Sequence, residues 1–249
     1  MTNNCNINKK TVLWTIDKDL LKKIKDNISN GKHEISGDII FKDTKNCNNG
    51  LCNKKSIKDN KIFTGKGSSV GTPHGIVNFH THPKHIYKKF KTKYGWPSGE
   101  DMNQINKFFR KSTLLHIVFT VEGAYMIKVN KKLNLKQGKM VEDILINTHE
   151  YRMLNQAAQK KNFEKKFNIK GKTTLQMWLK LINSLTLKKL YDYYNSFNKT
   201  KLKIPKKDLR YKNAKIFNVR LVKMGPVFKF KINHINQRCH YTLYGRNLL

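Results

Sequence analysis

The sequence predicts an α/β (α+β) fold in which a mixed β-sheet is sandwiched by helices, followed by a basic helical and hairpin C-terminal extension. Between residues 10 and 130, short strand-like apolar runs mix with amphipathic helix patterns, without strict βαβ order. Beyond residue 135, long helical patterns dominate. The 249 residues are enough to bury a substantial core. We therefore predict a domain at 10–130 and a basic extension at 135–249.

Apolar periodicity and stop signals define the elements of the first domain. Asp17 begins a run whose apolar residues recur at helical spacing, and Asn30-Gly31 ends it. The segment GIVNFHTH is apolar enough for a central strand. In chain order, the sequence predicts a strand at 10–15, a helix from 17, a strand at 33–41, a surface loop at 42–60, two strands within 62–83, a lysine-rich excursion at 84–95, a helix opened by Pro97-Ser98 and a hairpin at 114–129.

The extension contains two long helical patterns, at 139–167 and 173–197, followed by a basic linker. Residues 214–233 have a strand pattern on both sides of Gly225-Pro226. This arrangement predicts a β-hairpin that turns at the Gly-Pro pair.

The charge of the chain is strongly positive, because 51 Lys and Arg residues against 16 Asp and Glu residues give a formal net charge of +35. Only six of the cations are arginine, so 51 − 6 = 45 are lysine. Lysine is a hydrated point charge, whereas base-specific recognition relies on the planar guanidinium group. The charge predicts non-specific attraction to polyanions such as nucleic acid. The alternative is that the lysine content reflects mutational bias and not selection for binding. Lys, Asn and Ile all have AT-rich codons, and the genomes of some large DNA viruses and protists are AT-rich.

The four cysteines predict free thiols in a reducing compartment. The polar N-terminus has no signal-peptide pattern, and no stretch approaches the roughly 18 apolar residues of a membrane span. We therefore expect an intracellular protein with no membrane partner, located in the cytoplasm or, for a viral protein, in host cytoplasm or the virion. Cys47 and Cys52 have loose zinc-knuckle spacing, which Cys239 and His240 would have to complete.

The residues with the clearest chemical meaning are His80 and His82, two apart in a strand pattern. Alternation along a strand places both imidazoles on one face, where they can chelate Zn²⁺, and turns Thr81 toward the opposite layer. A catalytic zinc needs a third protein ligand and an open position for water. Asp101 fits this role, because it lies in the first turn of a predicted helix, three residues beyond Ser98.

Two further residues complete a hydrolytic site. Ser98, at or near the helix N-cap, could donate a hydrogen bond to a developing oxyanion. Glu34, on the strand after the first helix, could take a proton from water and pass it to a leaving amine. Taken singly, an H-x-H pair is usually structural histidine, and Ser-x-x-Asp is usually an ordinary capping box. The combination is more informative, because one geometry accounts for all five residues.

This arrangement resembles the JAMM/MPN+ (JAB domain) zinc metalloproteases. Members of that family carry an upstream Glu, then H-x-H-P, then S-x-x-D. This chain has Glu34, then FHTHP at 79–83, then WPSGED at 96–101. The order of elements also matches, and the resemblance covers roughly residues 15–130, about half of the chain.

The resemblance implies an MPN/JAB-like fold and a zinc-dependent (iso)peptidase acting on a protein substrate, with removal of ubiquitin or a similar modifier as the leading activity. In the family, the residues that match His80, His82 and Asp101 bind zinc. The residue matching Glu34 activates water, and the residue matching Ser98 steadies the tetrahedral intermediate.

The chain departs from the family in one respect and leaves one alternative open. Fifteen residues separate His82 from Ser98, a longer separation than is usual in the family, and the surplus lies in the lysine-rich segment at 84–95. Insertions of this size cost little free energy, and this one could bind substrate or obstruct it. The alternative is a non-catalytic basic MPN-fold protein that binds nucleic acid or serves as a structural or virion component.

Overall fold

The computed structural model describes residues 10–42, 47–48, 51–56, 61–66, 69–73, 75–111, 113–146, 148, 152, 155–234 and 242–244. Its strands are β1 (Lys10–Thr15), β2 (Ile35–Asp38), β3 (Phe41–Lys42), β4 (Cys47–Asn48), β5 (Leu51–Ser56), β6 (Ile62–Thr64), β7 (Val77–Thr81), β8 (Leu115–Thr120), β9 (Gly123–Val129), β10 (Phe217–Val222), β11 (Lys229–His234) and β12 (Thr242–Tyr244). Its helices are α1 (Lys18–Asn30), α2 (Lys84–Lys89), α3 (Gly99–Lys111), α4 (Leu135–Ile146), α5 (Gln156–Phe167), α6 (Thr174–Ser184), α7 (Leu187–Asn198) and a 3₁₀-helix at Lys206–Tyr211.

The strands form two sheets. The first, which we call the central sheet, has six strands in the order β10-β9-β8-β7-β2-β6. Its β7 and β8 are parallel, and its other neighbours are antiparallel. The second sheet has the order β12-β11-β1-β5-β3, with β4 paired to β5. The protein is therefore α+β with a mixed sheet, as the sequence predicts.

Helices pack on both faces of the central sheet. On one face, Leu21 and Ile24 of α1 belong to the same buried cluster as Phe79 and Ile117 of the sheet. On the other face, α3, α4, α6 and α7 form a second buried cluster that includes Trp178. Each fully buried aliphatic or aromatic side chain contributes roughly 1.5–3 kcal/mol by leaving water. Because every residue of β7 is buried between these layers, the predicted central position of this strand is confirmed.

Two segments that the sequence predicts as loops contain regular structure. Residues 84–95 begin with α2, whose N-cap is Pro83. Residues 42–60 contain β4 and β5, and β5 lies parallel to β1. The sequence of β5, LCNKKS, has little apolar periodicity. Its extended conformation is therefore stabilised mainly by backbone pairing with β1.

The predicted hairpin at 214–233 is wrong. Both of its strands form, but β10 pairs with β9 in the central sheet and β11 pairs with β1 in the second sheet. Pro226, in the connection between them, has no N–H to donate to a hairpin ladder. The two strands pair with β9 and β1 instead of with each other, and the connection between them crosses from one sheet to the other.

Each long helical pattern of the extension is interrupted, and α5 and α7 begin new helices within the described residues. Asn155 caps α5 by accepting the N–H of Ala157, and Thr186 caps α7 by accepting the N–H of Lys189. Asn and Thr compete for backbone hydrogen bonds, which favours helix starts over helix interiors. No helix in the described part of the chain is long and apolar enough to cross a membrane.

Residues of the predicted extension form one edge strand of the central sheet and part of the helical layer that packs on it. The strand β10 adds to the edge of β9, and α6 packs against β10. The boundary between the two predicted segments, near residues 130–135, stays a prediction.

Candidate metal centre

The two histidines lie at the end of β7, where strand alternation sets their direction. His80 and His82 are buried, and their Nε2 atoms are 3.1 Å apart. His82 lies one residue beyond the strand, but its N–H donates to Phe119 O of β8 at 2.8 Å and continues the strand geometry. Thr81 faces the opposite layer, where its hydroxyl donates to Asn27 Oδ1 of α1. The predicted alternation is therefore confirmed.

Asp101 reaches the same point from the first turn of α3. Its Oδ2 accepts the N–H of Ser98 at 2.6 Å, and its own N–H donates to Ser98 Oγ at 3.0 Å. This reciprocal pair is a capping box, and it fixes the direction of the carboxylate. The helix N-terminus also favours a negative charge there. The capping role and the predicted ligand role are therefore compatible in one side chain.

Donor atoms of His80, His82 and Asp101 converge at a spacing near that around a tetrahedral zinc ion, with the shortest contacts of the two imidazoles made to different oxygens of Asp101. His80 Nε2 lies 3.5 Å from Asp101 Oδ1, and His82 Nε2 lies 3.5 Å from Asp101 Oδ2. Zinc bonds to nitrogen and oxygen of about 2.0–2.1 Å imply ligand–ligand distances of about 3.3–3.4 Å in a tetrahedron. One donor atom from each residue lies within 4.8 Å of the others. Two imidazoles and one carboxylate are also a donor set that catalytic zinc uses, so these residues fit Zn²⁺.

The other ring nitrogens of the histidines face fixed partners. His82 Nδ1 lies 2.7 Å from Gly95 O, a carbonyl that can only accept. His80 Nδ1 lies 2.9 Å from Nε2 of His116, and His116 Nδ1 lies 2.7 Å from Asn78 Oδ1. Such partners of metal-binding histidines orient the rings and select their tautomers.

Burial and the Asp101 carboxylate set the protonation state of the centre. Burial lowers the pKa of His80 to about 4, so its ring is neutral at pH 7. Burial also disfavours a charge on His82, but the hydrogen bond and attraction of Asp101 outweigh it and raise the pKa of His82 to about 9. Burial opposes the charge on Asp101, yet the two histidines hold the pKa of its carboxyl well below the usual range. A metal must therefore displace the proton of His82 before it can bind this ring.

Glu34 lies directly before β2, beside the strand that carries the histidines. The two strands are antiparallel, with Ser36 opposite His80. Glu34 is buried, and burial raises the pKa of its carboxyl to about 8, with the charge of His82 opposing the shift and that of Asp101 adding to it. A carboxyl group with a pKa near neutrality is suited to accept a proton and return it.

A cavity of about 540 Å³ connects these groups, and all five predicted site residues line it. Ser69 and Thr72 contribute polar edges. Ile86 and Phe90, from the lysine-rich segment, contribute an apolar wall. The segment that departs from the family pattern is therefore part of the cavity.

The sequence analysis missed a group of residues that holds the lysine-rich segment against the centre. Glu122, in the β8–β9 turn, accepts the hydroxyls of Tyr87 and Tyr125, each at 2.6 Å, and the N–H of Gly95 at 2.7 Å. The carbonyl oxygen of Gly95 in turn faces His82 Nδ1. Glu122 thereby supports His82 through a single residue, Gly95. No local pattern signals this group, because Glu122 is 27 residues from Gly95 and 35 from Tyr87.

A second missed residue, Arg152, is buried at the cavity, where its Nη1 donates to Trp96 O at 2.9 Å. Burial lowers the pKa of its guanidinium, and the negative charge of Asp101 opposes the shift. Arg152 therefore places a positive charge in a cavity that the acidic residues Glu34, Glu100 and Asp101 also line. Its sequence neighbourhood, THEYRML, contains no signal for this position.

The alternative zinc site at the cysteines lies only partly within the described residues. Cys47 and Cys52 are cross-strand neighbours in β4 and β5. Cys239 and His240 lie outside the described residues. This alternative stays a prediction.

Comparison with known proteins identifies no family, because no known protein family and no solved structure matches the chain. A stretch of 64 residues, 26 % of the chain, is 38 % identical to "Uncharacterized protein 3R" of Frog virus 3 (isolate Goorha). The chain covers 14 % of the length of that relative. Because the relative's name states no activity, the chemistry of the site carries the functional argument.

Proposed function

We propose that this protein is a zinc-dependent hydrolase of the JAMM type, with an MPN-like fold, that cleaves an amide or isopeptide bond. The observation that carries the proposal is the convergence of His80, His82 and Asp101, whose donor atoms lie within 4.8 Å of one another in a cavity that Glu34 and Ser98 also line. The H-x-H-P and S-x-x-D motifs support the family resemblance. They come from different elements of the fold and meet at one point.

The residues of the centre divide the chemistry of hydrolysis among them. The two imidazoles and the carboxylate would hold Zn²⁺, which would supply Lewis acidity to acidify a water molecule and polarise a carbonyl oxygen. Glu34 accepts a proton from the water as its oxygen attacks the carbonyl carbon, and then returns this proton to the leaving nitrogen. A cation at the centre favours the ionised form of Glu34, which is the form that can accept a proton.

Ser98 stabilises the negative charge that develops on the carbonyl oxygen. Its Oγ already accepts the N–H of Asp101, so its own hydroxyl hydrogen can be donated to the oxyanion. Removing one such donor lowers kcat by about 10²–10³-fold in enzymes that use an oxyanion hole. Ser98→Ala should therefore lower kcat more than it changes KM.

The proposed substrate is a protein conjugated to ubiquitin or a similar modifier, because the JAMM resemblance implies this class. The mixed lining of the cavity, polar at Ser69 and Thr72 and apolar at Ile86 and Phe90, is compatible with a peptide segment.

A comparison of two glutamates at the same cavity tests the proposal. Glu34→Gln should retain zinc, measured by elemental analysis, and lose hydrolysis of a panel of ubiquitin chains by at least about 10²-fold. Glu100→Gln is the matched control, because Glu100 also lines the cavity but has no part in the proposed chemistry. Full activity in Glu34→Gln would overturn the assignment of the base.

A separate surface feature supports a second candidate function, non-specific binding of nucleic acid. Two adjoining depressions, of about 770 and 580 Å³, share Lys170 and Lys180. We call them together the lysine groove, and its lysines are Lys160, Lys170, Lys172, Lys180 and Lys215. Residues 155–215 contain 17 Lys and Arg against three Asp and Glu, a net charge of +14. A structural or virion role would use this groove without catalysis.

Charge reversal tests the groove. The Lys170→Glu, Lys180→Glu double variant should weaken DNA binding and reduce the slope of log K against log salt by about two units. Lys18→Glu with Lys23→Glu, on exposed positions of α1, makes the same change in net charge. Equal effects of the two double variants would show that the groove is not the binding surface.

A further inference from the structure

We propose that His116 is a positioning residue of the metal centre: a buried hydrogen-bond chain through His116 and Asn78 fixes the His80 tautomer whose Nε2 can bind a metal. This inference rests on the zinc site proposed above. It adds a residue that lies on the neighbouring strand β8 and shows no motif of its own.

The Asn78 end of the hydrogen-bond chain sets which atoms donate and which accept, because the backbone carbonyl that Asn78 faces can only accept. Asn78 Nδ2 donates to Pro73 O at 2.6 Å. It also lies 3.4 Å from Thr113 Oγ1, whose own hydrogen is donated to Gly75 O. The amide nitrogen of Asn78 is thus turned toward these acceptors. Its Oδ1, which can only accept, faces His116 Nδ1 at 2.7 Å.

The hydrogen positions on His116 and His80 follow in turn from the orientation of the Asn78 amide. Because Asn78 Oδ1 accepts, His116 Nδ1 carries the hydrogen, and Nε2 of the neutral ring keeps a lone pair. That lone pair faces His80 Nδ1 at 2.9 Å, so His80 Nδ1 carries a hydrogen as well. His80 Nε2 is left with a lone pair, and this atom lies 3.5 Å from Asp101 Oδ1.

Because the hydrogen-bond chain is buried, it determines the tautomer of His80. Asn78 and His116 are fully buried and His80 is 5 % exposed, so solvent does not readily replace a missing partner. His82 needs no such chain, because its Nδ1 faces the carbonyl oxygen of Gly95 directly. The two ligands are therefore oriented by different devices, and only His80 depends on a second imidazole.

Nitrogen-15 NMR of the zinc-free full chain tests the tautomer without relying on metal binding. Two-bond ¹⁵N–¹H correlations distinguish Nδ1–H from Nε2–H imidazoles, and a His80→Gln variant assigns the His80 signals among the nine histidines. We expect the Nδ1–H tautomer at both His80 and His116. The Nε2–H tautomer at His80 would overturn the proposal.

Two variants separate positioning from packing at His116. Gln can accept from His80 and donate to Asn78, whereas Leu occupies similar space without hydrogen bonding. We expect His116→Leu to weaken Zn²⁺ binding by about 10- to 100-fold in competition with a chelator, and His116→Gln to restore most of the affinity. Wild-type affinity in His116→Leu, or equal losses in both variants, would overturn the proposal.

Different results would refute the inference about His116 and the proposed hydrolase function. A wild-type protein that binds no zinc but has His80 as Nδ1–H would refute the hydrolase and support the hydrogen-bond chain. Normal zinc binding with His80 as Nε2–H in the zinc-free protein would refute the chain and leave the hydrolase standing.

Discussion

Zinc binding to this centre should release more than one proton at pH 7, and Glu34→Gln should reduce the release to one. Zn²⁺ needs the lone pair of His82 Nε2, but the pKa of His82 is raised to about 9, so this ring is protonated before the metal binds. Glu34, with a pKa of about 8, is also largely protonated, and a nearby cation drives it to the ionised form. His80, with a pKa of about 4, has no proton to lose.

The size of the effect follows from linkage. Below a raised pKa, each displaced proton makes the apparent association constant fall about tenfold per unit decrease in pH. From pH 7 to pH 6, zinc binding should therefore weaken by close to 100-fold in the wild type and by about 10-fold in Glu34→Gln. The carboxyl of Asp101 releases no proton in this pH range, because the histidines hold its pKa well below the usual range.

Competition with a chelator of known proton affinity, at several pH values between 6 and 7.5, measures the slope. Calorimetry in buffers of different ionisation enthalpy counts the released protons independently. Glu100→Gln is the control and should keep nearly the wild-type slope, because the charge of Glu100 contributes less to the raised pKa of Glu34 than burial or the charge of Asp101 does. A pH-independent zinc affinity would refute the protonation of His82, and a wild-type slope in Glu34→Gln would refute the contribution of Glu34.

Other predictions concern stability. Tyr87→Phe removes a hydroxyl that donates to a carboxylate, and it should lower the free energy of unfolding by about 1–3 kcal/mol in urea titrations, more than Tyr94→Phe does. Gly95→Ala places a Cβ against the hydroxyl and ring of Tyr87, so it should lower Tm and zinc affinity; no change in Tm would contradict this packing. Ile117→Ala should destabilise the fold by about 2–5 kcal/mol because its side chain is fully buried, whereas Ile146→Ala, at a 56 % exposed position, should change stability little.

Local patterns made much of the fold predictable. The helix α1 follows from apolar residues at helical spacing, and β8 with β9 follows from two apolar strands around Glu122-Gly123. Strand partners could not be predicted in the same way. Which strand β10 or β11 pairs with depends on the three-dimensional arrangement of the other strands, so the local Gly225-Pro226 signal gave a hairpin that does not form.

The same distinction between local and long-range signals holds for the site. His80 and His82 share a face because of strand alternation, and Ser98 with Asp101 follows from capping chemistry within one helix turn. Placing Glu34 with them relied on its position on the strand after the first helix and on the family resemblance. The supporting residues carried no signal, because a histidine 36 residues from its partner or a glutamate 27 residues from its partner looks ordinary in the sequence.

The zinc content of the purified wild-type protein, prepared without chelator beside Asp101→Asn, tests the central claim most directly. Asp101 supplies one of the three donor atoms, and Asn keeps its size but removes its charge. The account predicts about one zinc per chain in the wild type and a loss of most of it in the variant. No zinc in either protein, or equal zinc in both, would contradict a metal centre at His80, His82 and Asp101.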